Sequence, residues 1–209
     1  MLPKVIKPML AQQAEEPFDS DNHFFEIKWD GIRCLALIEA GQVRLQSRRF
    51  LEITAQFPEL SCLAQLPSGT ILDGELIILH GGKPSLHEIQ KRALLQSRTR
   101  IQFLSQITPV TYMVFDLLVL RGSSIMPSPS NLRRKRLQDL IEQFPVPGVL
   151  VTEVFRRYGR QLFARVERAG LEGIMAKRID SPYLPGKRSR YWLKIKPRYR
   201  EAQPEGLLI

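Results

Sequence analysis

The chain has 209 residues, 44% of them hydrophobic, which suits one large or two small folded domains and argues against disorder. Its 31 Lys and Arg against 21 Asp and Glu give a net charge of +10, so we expect a polyanionic partner rather than a membrane. No apolar run of about 18 residues or secretory signal is present, and Cys34 and Cys62 match neither a zinc site nor a disulfide framework.

Hydrophobic periodicity predicts alternating groups of strands and helices along the chain. The predicted strands cover residues 23–27, 34–38, 43–47, 70–79, 110–120, 149–155, 174–177 and 191–195. The predicted helices cover residues 85–95, 131–143 and 160–169. The first of these helices begins with Ser-Leu-His-Glu, which has the form of a capping box.

This order of elements predicts an α+β fold in which antiparallel sheets are flanked by helices. The short turns between neighbouring strands favour hairpins, and one face of residues 43–47 is polar. The chain lacks both the βαβ alternation of a dinucleotide fold and a Walker-type phosphate loop. A nucleotide site, if present, must therefore be of another kind.

A lysine followed by Asp-Gly ends the first predicted strand. Alternation along that strand places Glu26 and Lys28 on one face. A free lysine has a pKa of about 10.4 and is a poor nucleophile at neutral pH. Burial or a cationic neighbour such as Arg33 would lower that pKa. Taken alone, a Lys-Asp-Gly turn is more often a solvated hairpin residue.

Acids also interrupt two apolar runs. Asp73 and Glu75 flank Gly74, and burial of such acids requires a partner such as a metal ion, a ribose hydroxyl or a lysine. The alternative is a β-bulge at Gly74 with a solvated Asp73. In the second run Asp116 needs a hydrogen-bond partner, and Phe115 could stack on a base or simply belong to the core.

The last third of the chain adds an acid and a pair of lysines. Glu172 precedes a glycine that permits close backbone approach. Lys194 and Lys196 lie two residues apart on a predicted strand, so both project from one face. Two parallel ammonium groups repel each other unless an anion lies between them, and a triphosphate is one such anion. A solvated basic edge strand explains the pair equally well.

Six short motifs occur in a fixed order between residues 9 and 197. They are Lys-x-Asp-Gly-x-Arg, Ser-Arg, Asp-Gly-Glu, Phe-Asp, Glu-Gly-x-x-x-Lys and Trp-Leu-Lys-x-Lys. This set resembles that of the covalent nucleotidyltransferases, whose core is ATP-grasp-like and which include DNA ligases, RNA ligases and capping enzymes. Residues 172–189 are the most specific part and look like the ligase domain of bacterial non-homologous end-joining DNA ligases.

The resemblance implies that Lys28 attacks the α-phosphorus of ATP and forms a lysyl-AMP adduct. AMP would then pass to the 5′-phosphate of a nick, and the 3′-hydroxyl would displace it. Glu26 and the adjoining backbone at Ile27 would receive the adenine, and Phe115 would stack on it. The positions implied for the other groups are Arg33 and Arg48 near the ribose and phosphates, Glu75 on the ribose or a metal, Glu172 on a divalent metal such as Mg²⁺, and Lys194, Lys196 and Arg188 near the α-phosphate.

The resemblance also sets expectations for domains and partners. Residues 1–200 would form an adenylation domain and residues 201–209 an irregular tail, with the family's OB-fold domain absent. The partner would be nicked or broken double-stranded DNA, with a separate OB-fold or end-joining protein supplying what is missing. We expect a cytoplasmic, nucleoid-associated monomer that acts in DNA repair and recombination.

Two other functions fit the same residues less well. An RNA ligase or a capping-type enzyme would use the same chemistry, but residues 183–189 favour the DNA end-joining group. A non-catalytic nucleic-acid-binding module would keep the fold without the reaction, yet the lysine, acids and arginines are all intact. Use of NAD is not expected, because no added domain precedes Lys28.

Overall fold

The computed structural model describes residues 1–197, which form thirteen strands, four α-helices and two short 3₁₀ segments. The strands are β1 (Leu10–Gln13), β2 (Ser20–Ile27), β3 (Ile32–Glu39), β4 (Gln42–Ser47), β5 (Thr70–Ile77), β6 (Leu79–His80), β7 (Lys83–Pro84), β8 (Thr111–Leu120), β9 (Ser123–Ser124), β10 (Val149–Val151), β11 (Phe155–Arg157), β12 (Ile174–Arg178) and β13 (Arg188–Ile195). The helices are α1 (Leu86–Ala93), α2 (Arg98–Ile107), α3 (Ser130–Gln143) and α4 (Gly159–Arg168), and the 3₁₀ segments are Thr54–Gln56 and Pro58–Gln65. None of these helices is both long and apolar enough to span a bilayer. The predicted tail at residues 201–209 lies outside the described residues.

Two sheets form the centre of the molecule. Sheet A has the strand order β1-β13-β12-β2-β11, and sheet B has the order β10-β8-β5-β3-β4 with β9 paired to β8. Most pairs are antiparallel, as the sequence predicts, whereas β1–β13 and β10–β8 are parallel. The predicted α+β class is therefore confirmed. The link from β2 to β3 carries the chain from sheet A to sheet B.

Apolar side chains fill three layers around these sheets. The largest cluster lies where sheet B packs against the helical segments, and includes Leu45, Phe57, Leu76, Ile89, Leu137 and Leu140. A second cluster lies between the two sheets and includes Met9, Leu35, Leu37, Ile71, Tyr183 and Trp192. The third packs α4 on the outer face of sheet A through Phe25, Leu162, Val166, Ile174 and Ile195. Each sheet therefore has an apolar cluster on its outer face, and these two clusters fix the strands whose other face points to the space between the sheets.

Local signals in the sequence account for the start of α1 but not for every element. Ser85 caps α1 by accepting a hydrogen bond from the backbone nitrogen of Glu88, as the capping box predicts. The strand predicted over residues 149–155 is wrong as a single element, because it divides into β10 in sheet B and β11 in sheet A. Helix α2 was not predicted; most of its residues are polar or exposed, so its apolar period is weak.

Candidate active site

Lys28 lies where the chain passes from sheet A to sheet B. Its backbone nitrogen donates a 2.9 Å hydrogen bond to the carbonyl oxygen of Gly173, which ties this crossover to the start of β12. Gly31 completes the crossover, and a Cβ atom there would lie 2.2 Å from the carbonyl oxygen of Leu76. Only glycine fits such an approach, so the Asp-Gly sequence fixes the lysine against β5.

Glu172 joins two lysines that are far apart in the sequence. Its carboxylate accepts from Lys28 Nζ at 2.6 Å and lies 2.9 Å from Lys196 Nζ. Burial raises the pKa of Glu172, but the charges and hydrogen bonds of Lys28 and Lys196 outweigh it and leave that pKa below its ordinary value. The adjacent Gly173 has φ 145° and packs against the Ile195 carbonyl, which brings β13 and its lysines close.

More positive charge surrounds this carboxylate than it can neutralise. Burial lowers the pKa of Lys194, and the nearby charges of Lys196, Lys28 and Arg188 lower it further. The Arg188 guanidinium donates to the backbone carbonyl of Ala11 at the edge of sheet A. The predicted projection of the two lysines toward a shared anion is consistent with this grouping, and a polyphosphate is the chemical class it suits.

Glu75 lies on β5 directly opposite Arg33 of β3. Burial raises its pKa to about 7, an effect that Lys28 and Arg33 oppose and that Glu172 and Asp73 reinforce. Among residues 1–197, no three His, Cys, Asp or Glu side chains lie close enough to hold a metal by themselves. Two carboxylates, Glu75 and Glu172, nevertheless suit Mg²⁺, which is commonly held by one or two carboxylates together with substrate phosphates.

Arg33 forms an ion pair with Asp73, the first residue of the Asp-Gly-Glu motif. Its guanidinium makes two 2.6 Å hydrogen bonds to the carboxylate of Asp73, which is fully buried. The hydroxyl of Tyr183 donates to the same carboxylate at 2.7 Å. Asp73 is therefore a paired acid rather than a solvated one, although the chain does change register at Gly74 as a bulge would require. The role of Arg33 near the ribose and phosphates stays a prediction.

The ring of Phe115 lies between two cations and an indole. The Lys177 ammonium is 4.0 Å and the Arg33 guanidinium 4.7 Å from the ring centroid, and Trp192 meets the ring edge-on at 6.0 Å. These contacts hold the ring in one orientation where the two sheets face each other, the region that we call the cleft. Phe115 is only half-buried, and its stacking on a base stays a prediction.

Glu26 is buried and bound by two cations. Lys177 Nζ lies 2.7 Å from its carboxylate, and Arg134 of α3 donates to it at 3.2 Å. Burial lowers the pKa of Lys177, and the Glu26 carboxylate raises it in part. Arg134 also donates to the Thr152 carbonyl, so the group connects β2, β12 and α3. A base seated here would meet a fixed hydrogen-bonding group.

Two predicted residues lie apart from these contacts. Ile27 is half-buried and pairs with Ile174 across β2 and β12, which leaves its backbone next to Lys28. Arg48 is exposed in the turn that follows β4, at the end of sheet B where β3 begins. Neither side chain contacts the Glu172 group in the described structure, and their assigned roles stay predictions.

Sequence reasoning missed several groups that organise the cleft. Lys177, Arg134 and Tyr183 were not proposed as site residues, although Lys177 ends the Glu-Gly-x-x-x-Lys motif. The partner that Asp116 required is Arg133, which is fully buried and binds its carboxylate through two 2.8 Å hydrogen bonds. An Arg-Arg pair on a helix with buried neighbours is the signal that could have identified this clamp.

Comparison with known proteins gives a consistent result. Residues 8–196 match the family described as the ATP dependent DNA ligase domain. The chain is 35% identical over 191 residues to the SPbeta prophage-derived DNA ligase-like protein LigB of Bacillus subtilis, and this match covers 91% of the chain and 67% of that protein. It is 37% identical over 195 residues to the multifunctional non-homologous end joining DNA repair protein LigD of Mycobacterium tuberculosis, covering 91% of the chain and 24% of LigD.

A solved structure agrees with these sequence matches. The ligase domain of M. tuberculosis LigD superposes with a TM-score of 0.78 at 34% identity, covering 94% of the chain and 61% of that structure. The chain therefore spans about two thirds of the Bacillus protein, about three fifths of the solved LigD ligase domain and about a quarter of full-length LigD.

Proposed function

Because the chain belongs to the ATP-dependent DNA ligase family, we propose that it binds ATP, forms a lysyl-AMP adduct at Lys28 and passes AMP to a 5′-phosphate at a DNA break. The observation that carries this proposal is the ion-pair group in which Lys28 and Lys196 share the single carboxylate of Glu172. A nucleophile placed among unneutralised cations can approach a triphosphate, whereas most solvated lysines have no such surroundings.

In the proposed step, the neutral amine of Lys28 donates its lone pair to the α-phosphorus. The bond from that phosphorus to the bridging oxygen breaks, and pyrophosphate leaves with the electron pair. Lys28 must first leave Glu172, whose oxygen lies 2.6 Å away, and release a proton to solvent so that its lone pair is free. ATP favours this separation because its phosphates offer the lysines another anion.

The remaining cations would hold the phosphates during this displacement. Negative charge is greatest on the phosphate oxygens, so fixed positive groups contribute by positioning and by charge neutralisation. Lys194, Lys196 and Arg188 are the groups we assign to the α-phosphate region. A divalent metal bound through Glu75 and Glu172 would neutralise phosphate charge further, and Arg48 would approach from the turn after β4.

The nucleoside would occupy the cleft between the sheets. The backbone at Ile27 and the carboxylate of Glu26 would receive the base from β2, and the half-buried ring of Phe115 would stack on it. Because the guanidinium of Arg33 is bound to Asp73, we assign Arg33 a positioning role. It orients the ring of Phe115, and its positive charge lowers the pKa of the neighbouring Glu75.

The nucleic-acid substrate we propose is nicked or broken double-stranded DNA. A chain with a net charge of +10 suits a polyanion, and relatives described as end-joining repair proteins favour a role in that pathway. We infer that the protein acts as a cytoplasmic, nucleoid-associated monomer, and that residues 1–200 form one adenylation domain that works with an OB-fold domain or an end-joining partner.

The adduct provides the direct test. The protein is incubated with Mg²⁺ and ATP labelled at the α-phosphate and then run on a denaturing gel, where we expect label on the wild-type chain and none on Lys28→Ala. Lys91→Ala removes an exposed lysine of α1 and should retain the label. Chelation of the metal should abolish labelling, and unlabelled ATP should compete better than GTP or NAD. Label that persists in Lys28→Ala contradicts the assignment of the nucleophile.

A further inference from the structure

Residues 47–51 form a tight turn that projects from the end of β4. The backbone nitrogen of Ser47 donates to the Leu51 carbonyl at 2.9 Å, and Phe50 donates back to the Ser47 carbonyl at 3.0 Å. The Ser47 hydroxyl accepts from the Leu51 nitrogen at 3.2 Å, and Gln46 bridges to Glu52 just below. The turn is therefore held in shape by its own hydrogen bonds.

Phe50 has an unusual conformation and an unusual exposure within this turn. Its φ is 68°, in the left-handed region, and three-residue hairpin loops usually place glycine or asparagine at such a position. Its ring is 45% exposed, so packing in the core does not explain the choice of residue. Backbone strain that persists at an exposed position points to a function outside the fold.

The turn lies at the same end of sheet B as the nucleophile. Antiparallel pairing sets Ser47 of β4 opposite Cys34 of β3, so residues 48–50 extend beyond the level of Arg33 toward the start of β3. The chain segment that precedes β3 there is the crossover containing Lys28. Within the described part of the chain, β4 is also the edge of sheet B, so no further strand of that sheet covers the turn on its outer side.

We propose that Phe50 stacks on a base that flanks a break in a DNA strand, beside the site that carries AMP. This inference rests on the proposed function, since it assigns the turn to the DNA that would receive AMP. The ring is preceded by Arg48, whose side chain is exposed, so an aromatic face is flanked by a charge that suits backbone phosphates. A base has a π-face at every sequence, so this contact recognises a strand end rather than a sequence.

A protein surface is a weaker match for the same turn. An apolar docking site would be expected to offer a contiguous apolar patch, whereas here Phe50 and Leu51 follow two arginines at a narrow tip. In every nucleic acid a base lies next to a charged phosphate. A guanidinium next to an aromatic ring can therefore contact both groups at once.

Binding of the full chain to two DNA duplexes tests the proposal. The duplexes have one sequence and ends closed by hairpin loops, and one of them carries a nick with a 5′-phosphate. Phe50→Gly removes the ring and relieves the left-handed strain, so its melting temperature should equal or exceed that of wild type. We expect its affinity for the nicked duplex to fall by about tenfold, within the range of one base–aromatic stack, and its affinity for the intact duplex to change less than about twofold.

Two further variants make the comparison specific. Phe50→Trp keeps a stacking surface and should restore nick binding, while Phe103→Ala removes a ring that is 58% exposed on α2 and should change neither affinity. Equal loss on both duplexes, or no loss on either, overturns the proposal, and no loss on either is also the result expected if a protein covers Phe50. The adduct assay without DNA is run in parallel. Failure of wild type to form the adduct refutes the proposed function, while the binding comparison still decides the role of Phe50.

Discussion

Glu75 provides a quantitative prediction that links the site to stability. Its pKa rises from 4.5 to about 7 in the folded chain because burial outweighs the attraction of Lys28 and Arg33. Between these two values the unfolded chain has already lost the proton and the folded chain still binds it. Stability contributed by this group therefore falls as pH rises through that window and is lowest above the folded pKa.

The magnitude follows from the size of the shift. A change from 4.5 to about 7 corresponds to about 3 kcal/mol at roughly 1.4 kcal/mol per unit. Glu75 is half-buried and solvent screens part of this penalty, so we expect about 1–3 kcal/mol. Glu75→Gln keeps the shape of the protonated acid and cannot ionise. The variant should match wild type near pH 4.5 and exceed its stability by that amount at pH 8.

Urea unfolding of both proteins at several pH values between 4.5 and 8 measures this difference directly. The same Glu75→Gln protein should form less lysyl-AMP at limiting Mg²⁺, because one of the two proposed metal ligands has lost its charge. A stability difference that stays constant across this pH range would refute the reasoning, since it would show that ionisation of Glu75 is not its source. Glu142→Gln, at an exposed position of α3, is the matched control and should show no such trend.

Two further predictions concern the framework of the cleft. Asp116→Ala leaves the fully buried Arg133 without its carboxylate partner and should lower the free energy of unfolding by about 3–5 kcal/mol. The double change Asp116→Leu with Arg133→Met should recover part of that loss in the same urea assay, because both charges are removed while the Ser128 and Ser181 carbonyls still lose their donor. Gly31→Ala places a Cβ atom 2.2 Å from the Leu76 carbonyl and should lower stability by about 1–3 kcal/mol and slow adduct formation; Gly41→Asn, in open space at φ 73°, should do neither.

The sequence was most informative where chemistry depends on local spacing. Alternation along a strand needs only neighbouring residues, and on it rests the prediction that Glu26 and Lys28 share one face; β2 ends at Ile27, so this stays a prediction. The capping box at Ser85 is local in the same sense, and it is observed. The order of the six motifs adds information across the whole chain, and the family it indicated is confirmed by the match over residues 8–196.

Contacts across long sequence separations could not be derived in this way. The pairing of Arg33 with Asp73 spans 40 residues, and that of Lys28 with Glu172 spans 144. Several acids and bases could have satisfied each other, and only the packing of two sheets selects among them. The division of residues 149–157 between two sheets has the same cause, because a short apolar run contains no information about which sheet it joins.

The charges of the cleft fall into two groups that differ in what they can do for a ligand. Asp73 neutralises Arg33 and Asp116 neutralises Arg133, whereas the carboxylate of Glu26 is shared by Lys177 and Arg134. All of these buried cations are bound to a carboxylate, so their geometry is fixed. At the mouth, by contrast, Lys28 and Lys196 share one carboxylate while Lys194 and Arg188 add charge that Glu172 does not balance. A buried pair has little affinity left for a ligand, because its charges are already compensated. The excess of positive charge at the mouth is the more exposed one, since Lys28 and Lys196 are partly accessible while Lys177 and Arg134 are buried. An incoming polyphosphate is therefore drawn toward the lysine proposed to attack it.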